Sequence, residues 1–425
     1  MRPRLNIFYG WWIVAGAVVT HALEGGLGTY CFSLFMIPLI KEFGWAKGQL
    51  SLAVTLSSLA GGVSGPFIGR WVDRHGPRGI MTLGAVVAGA SYALLSLTPS
   101  IWYFYLIYLL FALGRAGAGT VPSNTMVTNW FREKRGLAIG IMATGIGWGG
   151  VVVAPLATWL ILTFGWRAAY TILGIGSAVI LTPLIFSLMR RLRPEEMGLL
   201  PDGKSSIEQS KSVSSAPTEE KAPETATWTL RTASRTWAFW LLGLGLFVFY
   251  FGQASIIFHA RPLFEERGAS AQLAGVLVSL LAGMGILGKL VSGYILDKIR
   301  ARYFAIFTGL LHAATLVVFL TTKDIPILWL FAIMFGLALG SLATLGPMSV
   351  GQCFGRASFG VIYGTIAFAI TAGVGLGPLF FGSIFDTTGS YNPALWLYIG
   401  THLLAGTLIF LTRSPKSAGL STSTS

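Results

Sequence analysis

The chain has 425 residues, of which 54% are hydrophobic, only 11% are charged and 54 are glycine. A soluble protein covers its surface with roughly 25% charged residues, so this composition excludes a water-soluble globule. The formal charge of +14 would suit a nucleic-acid-binding protein, but the basic residues lie between apolar runs of about 20 residues, the length that crosses a bilayer.

Twelve apolar runs, bounded by charges, prolines or Asn/Asp clusters, predict an all-α polytopic membrane protein with twelve transmembrane helices. In chain order the runs lie at 11–38, 49–71, 79–98, 101–127, 136–163, 167–189, 237–260, 272–295, 302–321, 325–350, 358–385 and 392–412. The first run follows two arginines, as in a signal peptide, but it is long, contains Glu24 and lacks a small-residue cleavage site. We therefore expect an uncleaved helix.

The region 190–236 separates the helices into two sets of six. It is rich in Ser, Thr, Glu, Lys and Pro and cannot bury a core, so we expect a cytoplasmic linker. An N-terminal six-helix bundle at 1–189 precedes it, and a C-terminal bundle at 237–425, with a short cytoplasmic tail, follows. An offset of 224 positions aligns the two sets without a gap and pairs Pro38 with Pro262, Gly61 with Gly285, Asp73 with Asp297 and Gly140 with Gly364. This regularity indicates an internal duplication.

The basic residues are distributed unequally between the two sides of the predicted membrane. Of the 30 lysines and arginines, 22 fall on the side of the termini and the linker, and six fall on the other side. The remaining two, Arg115 and Lys289, lie inside helices. The positive-inside rule therefore predicts an integral protein of the plasma (inner) membrane with both termini in the cytoplasm.

The junction of the second and third helices carries a recognisable signature. It has a glycine, an Asp-Arg pair, a second glycine and a further arginine at fixed spacing: Gly69, Asp73, Arg74, Gly76 and Arg78. This pattern resembles the loop signature of the major facilitator superfamily, and Asp297 lies in its degenerate copy. The resemblance implies two pseudo-symmetric six-helix bundles with a substrate site between them near the midplane. It also implies that these residues form a gating loop, whose charge contacts change as the bundles rock.

Three further segments resemble one family within this superfamily. The segments 8–12 (FYGWW), 130–140 (WFREKRGLAIG) and 193–203 (RPEEMGLLPDG) are similar to signatures of the monocarboxylate transporter family and its bacterial oxalate/formate antiporter-like relatives. The resemblance implies alternating-access transport of a small organic anion such as lactate or pyruvate. Family members place an arginine in helix 8 that meets the substrate carboxylate, and Lys289 stands at that position here. A lysine is also a cation, although it has no bidentate fork.

Ionisable residues inside predicted spans are functional candidates, because a charge at a helix centre costs about 2.5–3.5 kcal/mol on insertion scales. We expect Lys289 to attract the anion, unless it snorkels to the headgroups. Glu24 lies about 13 residues into the first helix, roughly 20 Å and close to mid-bilayer, and His21 shares its face. We expect Glu24, with His21, to couple a proton or to be the counter-ion of Lys289 or Arg115. A static Glu24–Arg115 pair is the alternative.

Further polar residues in helices 4 and 7 are candidates for contacts with the substrate. Arg115 stands where many superfamily members have an arginine in helix 4, and Asn124 follows on the same helix. Tyr250, Gln253 and His259 are the polar members of the seventh helix. His259 lies at the outer end, where a headgroup contact is the alternative.

Nothing in the sequence indicates catalysis, a cofactor or a metal site. Two literal glycine patterns, at 283–288 and 145–150, lack the strand context of a dinucleotide site and are interpreted as close helix contacts. The favoured hypothesis is a secondary active transporter that is proton-coupled and acts as a monomer in the bilayer without nucleic acid. A proton-coupled exporter of lipophilic or cationic compounds is the first alternative, and a non-transporting membrane sensor is the second.

Overall fold

The computed structural model describes residues 8–131, 134–189, 194–197, 200, 202, 228–321, 324–355 and 359–415. Most of the predicted linker at 190–236 lies outside these residues, as does the side chain of Asp73. Within the described chain every regular element is helical and no strand occurs. This confirms the predicted all-α class.

Eleven described helices are long and apolar enough to cross a membrane. The longest, Arg135–Leu188, is interrupted at Gly165, where a φ of 80° and a ψ of 165° are non-helical, so it comprises two spans. Twelve helices result: α1 (Tyr9–Phe43), α2 (Lys47–His75), α3 (Pro77–Leu94), α4 (Ile101–Trp130), α5 (135–164), α6 (166–188), α7 (Trp237–Phe258), α8 (Ala271–Leu296), α9 (Ala301–Thr321), α10 (Ile325–Phe354), α11 (Phe359–Thr388) and α12 (Asn392–Phe410). A short helix, Ala260–Glu266, links α7 to α8.

The predicted gating loop is largely helical. Helix α2 continues through Gly69 and Arg74 to His75, whereas the apolar run that predicted it ends at 71. The turn consists of Gly76, whose φ of 78° favours glycine, and α3 begins at the next residue. Arg78 therefore lies in the first turn of α3, and the signature spans a helix–turn–helix junction. Hydropathy missed the last turn of α2 because polar residues that extend a helix beyond the bilayer do not contribute to an apolar run.

The two sets of six helices meet along two long interfaces, α2 with α11 and α5 with α8. Glycines permit close approaches between and within the sets. An added Cβ on Gly150 of α5 would overlap Ala282 of α8, and one on Gly149 would overlap the backbone of α1 at Ala22 and Gly26. Such contacts are typical of membrane helices, which associate by close backbone packing rather than by a hydrophobic drive.

Among the described residues, buried apolar side chains of the two sets form a shared core at one end only. We call the end where α1 begins and α12 ends the terminal side, and the opposite end the far side. One continuous core cluster on the far side contains residues of both sets, including Phe32 of α1 and Phe258 of α7. On the terminal side there are two separate clusters, one around Trp130 and one around Phe354. The halves are therefore closed together on the far side and apart on the terminal side.

Candidate functional site

A cavity of about 910 Å³ lies between the two halves, beneath the far-side closure. Five helices, α1, α2, α4, α7 and α11, contribute to its wall. At Gly61, Gly65 and Gly364 on this wall, an added Cβ would meet no atom within 4 Å. The cavity is thus unobstructed at these three positions of α2 and α11.

Glu24 reaches the cavity from a distorted part of α1. The helix passes into a π-helical turn over Gly26–Tyr30, which begins two residues after Glu24. Single π-turns are rare in proteins, and those that occur are often found at functional sites. Hydroxyl groups of Tyr92 and Tyr108 donate to the carbonyls of Leu27 and Gly28 at 3.5 and 3.4 Å, so neighbouring helices support the irregular backbone.

Arg115 approaches the same wall from α4. This helix is interrupted at Gly119, between Ala118 and Thr120, four residues after Arg115. The charged groups lie against the glycines of these two irregular segments. An added Cβ on Gly119 would overlap Oε2 of Glu24, and one on Gly28 would overlap the Arg115 guanidinium. Each charged side chain therefore lies against a glycine of the opposite helix.

Glu24 and Arg115 lie close together without satisfying one another. The Arg115 charge acts on the Glu24 carboxylate, but the ion pairs found among the described residues, with N–O distances up to 4.0 Å, do not include this one. Glu24 is only 7% exposed, and its Oε1 and the Arg115 Nε have no hydrogen-bond partner. A buried unpaired polar group costs about 1–3 kcal/mol. The arrangement can therefore accept a ligand oxygen at Arg115 and a proton at Glu24.

Two of the hydroxyl groups of the wall donate to backbone carbonyls. The hydroxyl groups of Ser57 and Thr371 donate to Val54 and Ala367 of their own helices. Sequence reasoning did not select these residues, since helical hydroxyls commonly bond their own backbone. Each hydroxyl oxygen can still accept a hydrogen bond.

His21 and Lys289 lie behind this wall rather than in it. His21 is buried and packs against Gly145 of α5. The Lys289 ammonium donates to the Ala143 carbonyl at 3.0 Å, which joins α8 to α5 of the other half. The charges of both Lys289 and Arg115 act on His21. The structure thus brings four of the predicted ionisable residues into one region, with Arg115 and Glu24 facing the cavity.

The other predicted substrate contacts lie elsewhere. Tyr250 and Gln253 donate to the carbonyls of Leu342 and Leu339 on α10, at 3.3 and 2.9 Å. They therefore connect α7 to α10 within one half. Asn124 is half-buried in the last part of α4. None of the three is among the cavity-lining residues of the described chain.

His259 belongs to a polar network that closes the far side. Its ring nitrogens contact Ser51 Oγ at 2.9 Å, the Tyr391 hydroxyl at 2.9 Å and the Pro378 carbonyl at 3.0 Å. Ser51 lies on α2, so the network crosses between the halves. Arg261, which follows in the short helix, donates to the Leu34 carbonyl of α1. His259 thus joins the halves in this conformation.

A second far-side contact caps α2 with a carboxylate of the other half. The Asp386 oxygens of α11 accept the backbone N–H groups of Lys47 at 2.9 Å and Gly48 at 2.7 Å. An anion at a helix N-terminus is stabilised by free N–H groups and by the helix dipole. The Lys47 ammonium lies 3.1 Å from the centre of the Phe385 ring. We call Asp386, Lys47, Ser51 and His259 the far-side latch. The sequence analysis did not select Asp386 or Lys47. A signal was available, because both residues break the internal repeat: their repeat partners, Leu162 and Ala271, are uncharged.

Asp386→Ala should open the far side, because it removes two charge-assisted hydrogen bonds worth roughly 1.5–3 kcal/mol each. The measurement is labelling of a cysteine placed at Ser58, inside the closed end, by an impermeant thiol reagent added from the far side. We expect the labelling rate to rise about tenfold or more. The matched control is Glu42→Gln, which removes a far-side carboxylate that bonds Trp166 and Arg167 within one half. Equal rates in both variants would show that Asp386 does not hold the closure.

The signature residues at the α2–α3 junction make contacts within their own half. The Arg78 guanidinium lies 3.6 Å from the centre of the Phe186 ring of α6. Gly69 faces Val121 of α4, and Arg74 and Asp297 are exposed. Within the described residues no ion pair joins these positions across the open terminal side. Their predicted gating role concerns the closed terminal side and stays a prediction.

Comparison with known proteins identifies the chain's relatives. A family model described as Major Facilitator Superfamily matches residues 25–348 and 242–425. The uncharacterized MFS-type transporter YcxA of Bacillus subtilis is 26% identical over 368 residues, which cover 85% of each chain. Monocarboxylate transporter 12 of Homo sapiens is 26% identical over 408 residues, which cover 92% of this chain and 77% of the relative.

Solved structures resemble the overall fold. The D-xylose-proton symporter superimposes with a TM-score of 0.72 at 15% identity, covering 97% of this chain and 99% of the symporter. A bacterial homologue of the human lysosomal transporter Spinster, in its inward-facing and unoccupied conformation, gives a TM-score of 0.67 at 18% identity, covering 97% and 95% of the two chains. At these identities the likeness concerns the fold alone.

Proposed function

Because this chain belongs to the Major Facilitator Superfamily of membrane transporters, we propose that it is a proton-coupled secondary transporter of small organic anions. The proposal rests on one observation, the joint placement of Glu24 and Arg115 on the wall of the cavity between the halves. The name of the relative monocarboxylate transporter 12 supports the substrate class. We further propose that the terminal side is cytoplasmic, since it carries 22 of the 30 basic residues.

The coupling follows from the charge of the wall. Among the lining residues of the described chain, Glu24 is the one acidic side chain and Arg115 the one basic side chain. When Glu24 is protonated, the wall has a net positive charge and attracts a carboxylate. When Glu24 is ionised, the two charges compensate and the attraction is lost. Proton binding and anion binding therefore favour each other, as linkage requires in a symporter.

Arg115 is the proposed carboxylate-binding group. A guanidinium matches a carboxylate with two parallel hydrogen bonds, which a lysine ammonium does not provide. The unpartnered Nε of Arg115 is one donor available for such a pair. This role was expected of Lys289 from the family resemblance, with Arg115 assisting; in the proposal Arg115 takes the direct contact.

Lys289 acts as the second cation in this proposal. Its bond to Ala143 holds α8 against α5, and its charge acts on His21 behind the wall. Lys289→Met should therefore raise the KM for the anion by less than about tenfold, because Lys289 makes no direct charge-assisted contact with the anion in this proposal. The measurement is initial uptake rate against anion concentration, with Lys289→Arg as the variant that keeps the charge. Loss of all anion binding in Lys289→Met, with Arg115→Gln unaffected, would transfer the binding role to Lys289.

Transport by purified protein in liposomes tests the proposed function. Labelled lactate, pyruvate, acetate and oxalate are offered separately, with and without an inward proton gradient. We expect one or more acids to accumulate only when the gradient is present. If a folded protein transports none of them under either condition, the substrate class is wrong.

An exporter of lipophilic or cationic compounds is the second candidate. The size of the cavity and apolar lining residues such as Val54, Phe258 and Phe368 favour a bulkier, less polar substrate than a three-carbon acid. In that mechanism ionised Glu24 attracts the cation, and protonation releases it. Resistance profiles of cells that lack or overproduce the protein distinguish the two candidates, because an anion importer confers no resistance to cationic compounds.

A further inference from the structure

A second cavity, of about 520 Å³, lies on the terminal side, at the end of the C-terminal half. Helix α9 begins there, and α10 and α12 end there. Its wall contains three arginines, Arg300, Arg302 and Arg413, and no acidic residue among the described lining residues. It is separate from the cavity between the halves, with which it shares no lining residue.

Two buried polar groups on this wall lack partners. Ser349 is 3% exposed, and its hydroxyl group has no hydrogen-bond partner. The Nε of Arg302 is also buried and unpartnered, although its Nη2 donates to the Tyr303 hydroxyl at 2.5 Å. The first N–H of α9 is not free, because Ala301 donates it to Gln352 Oε1 at 2.8 Å. The unsatisfied donors therefore come from side chains of the wall.

Among the described residues, no acidic side chain forms an ion pair with the arginines of this wall. Asp297 is the acid nearest in sequence, and no ion pair within 4.0 Å joins it to these arginines in the described chain. Three guanidinium groups around one cavity repel each other, and an anion bound between them lowers this repulsion. Guanidinium groups bind phosphate with bidentate, charge-assisted hydrogen bonds, so phosphate suits the site better than a carboxylate with a single charge.

The surroundings of the cavity favour a lipid as the source of the phosphate. The α9 and α12 surface beside it exposes Tyr303, Phe307, Phe410 and Leu411. The rings of Tyr303 and Phe410 lie 5.9 Å apart and connect the two helices. Aromatic side chains at helix ends are typical of the headgroup level, and exposed apolar side chains of a spanning helix face acyl chains. A headgroup in the cavity would thus have its chains along this surface.

We infer that this cavity binds the phosphate of an anionic phospholipid from the membrane leaflet on the terminal side. Basic pockets between transmembrane helices are known to bind such headgroups. The bound phosphate satisfies Ser349 and Arg302 and connects the ends of α9, α10 and α12. The site is independent of the substrate and of the proposed coupling mechanism.

Native mass spectrometry of the detergent-purified full-length protein tests the inference. Phosphatidylglycerol and phosphatidylcholine with the same acyl chains are titrated separately. We expect phosphatidylglycerol adducts in the natural protein and at least a roughly tenfold loss in Arg300→Gln/Arg302→Gln/Arg413→Gln. The matched control, Lys134→Gln/Arg231→Gln/Arg235→Gln, removes three exposed basic residues of the same side and should retain the adducts.

A second variant keeps the test valid if the triple variant does not fold. Gln352→Glu preserves an acceptor for the Ala301 N–H and adds a negative charge to the wall, so it should also lose the adduct. Inorganic phosphate at millimolar concentration should not displace the lipid; displacement would overturn the lipid source in favour of free phosphate. Equal binding of both lipids, or undiminished binding by both wall variants, would overturn the site itself.

Discussion

Arg115→Gln should abolish concentrative uptake of the organic anion while the protein remains folded and inserted. The substitution removes a charge-assisted contact worth roughly 1.5–3 kcal/mol, which corresponds to about tenfold to a hundredfold weaker anion binding. It also leaves the cavity wall without its positive charge, so no state of Glu24 attracts an anion. The effect on uptake should therefore exceed the effect on binding. Equilibrium binding of labelled acid and initial uptake rates measure the two effects separately.

Glycine variants test the position of Arg115 without changing its charge. Gly28→Ala places a methyl group where the guanidinium lies, so the side chain must move and uptake should fall. Gly176→Ala is the matched control, because an added Cβ there meets no atom within 4 Å. Arg115→Lys should be intermediate, since it keeps the charge and loses the bidentate geometry. Normal uptake by Arg115→Gln would remove Arg115 from the binding site.

Glu24→Gln should separate transport from the proton gradient. Glutamine resembles the protonated carboxyl, so the cavity keeps the positive charge of Arg115 at every pH. Anion binding should then persist and become independent of pH, whereas binding to the natural protein should weaken as pH rises and Glu24 ionises. In liposomes we expect exchange of labelled for unlabelled anion to continue and accumulation driven by the gradient to be lost.

The position of Glu24 can again be tested by a neighbouring glycine. Gly119→Ala would displace the Glu24 carboxylate and leave every ionisable residue in place. We expect it to reduce gradient-driven accumulation more strongly than exchange, in the same direction as Glu24→Gln. If Glu24→Gln accumulates the anion as the natural protein does, the coupling proton binds elsewhere, and His21 becomes the next residue to replace. Loss of folding in Glu24→Gln would instead favour a static Glu24–Arg115 contact.

The far-side latch and the substrate site are connected through the same helices. Helix α2 carries Ser51 of the latch and, two turns further, Ser58 of the cavity wall. Helix α11 carries Asp386 of the latch and, about four turns away, Thr371 of the cavity wall. Opening of the latch must therefore move the cavity wall. A bound anion shifts the balance between the closed and the open far side only if it binds Arg115 more tightly in one of these two conformations.

The candidate site was only partly predictable from the sequence. Glu24, Arg115 and Lys289, with His21 on the same face as Glu24, were candidates because charges in apolar helices are expensive. Each of the four also has an uncharged residue at its repeat position. The structure brings these four into one region. Glu24 and Arg115 face the cavity, whereas Lys289 and His21 lie against α5. Tyr250 and Gln253 were equally polar in sequence, yet their side chains bond α10. The direction of a side chain depends on how its helix is rotated about its axis. That rotation is set by contacts with other helices, which the sequence does not show.

The sequence by itself determined the fold class and the number of spans, because burying a backbone in lipid demands continuous apolar helices of bilayer length. It also determined the internal repeat, since duplicated halves keep their small and turn-forming residues at one offset. Only the tertiary structure decided which charges share a cavity and which side is closed. Those properties depend on contacts such as Asp386 with the α2 N-terminus and Glu24 with Gly119, which join residues distant in sequence. Such contacts leave no periodic signal in the chain, because each involves a single position on each helix.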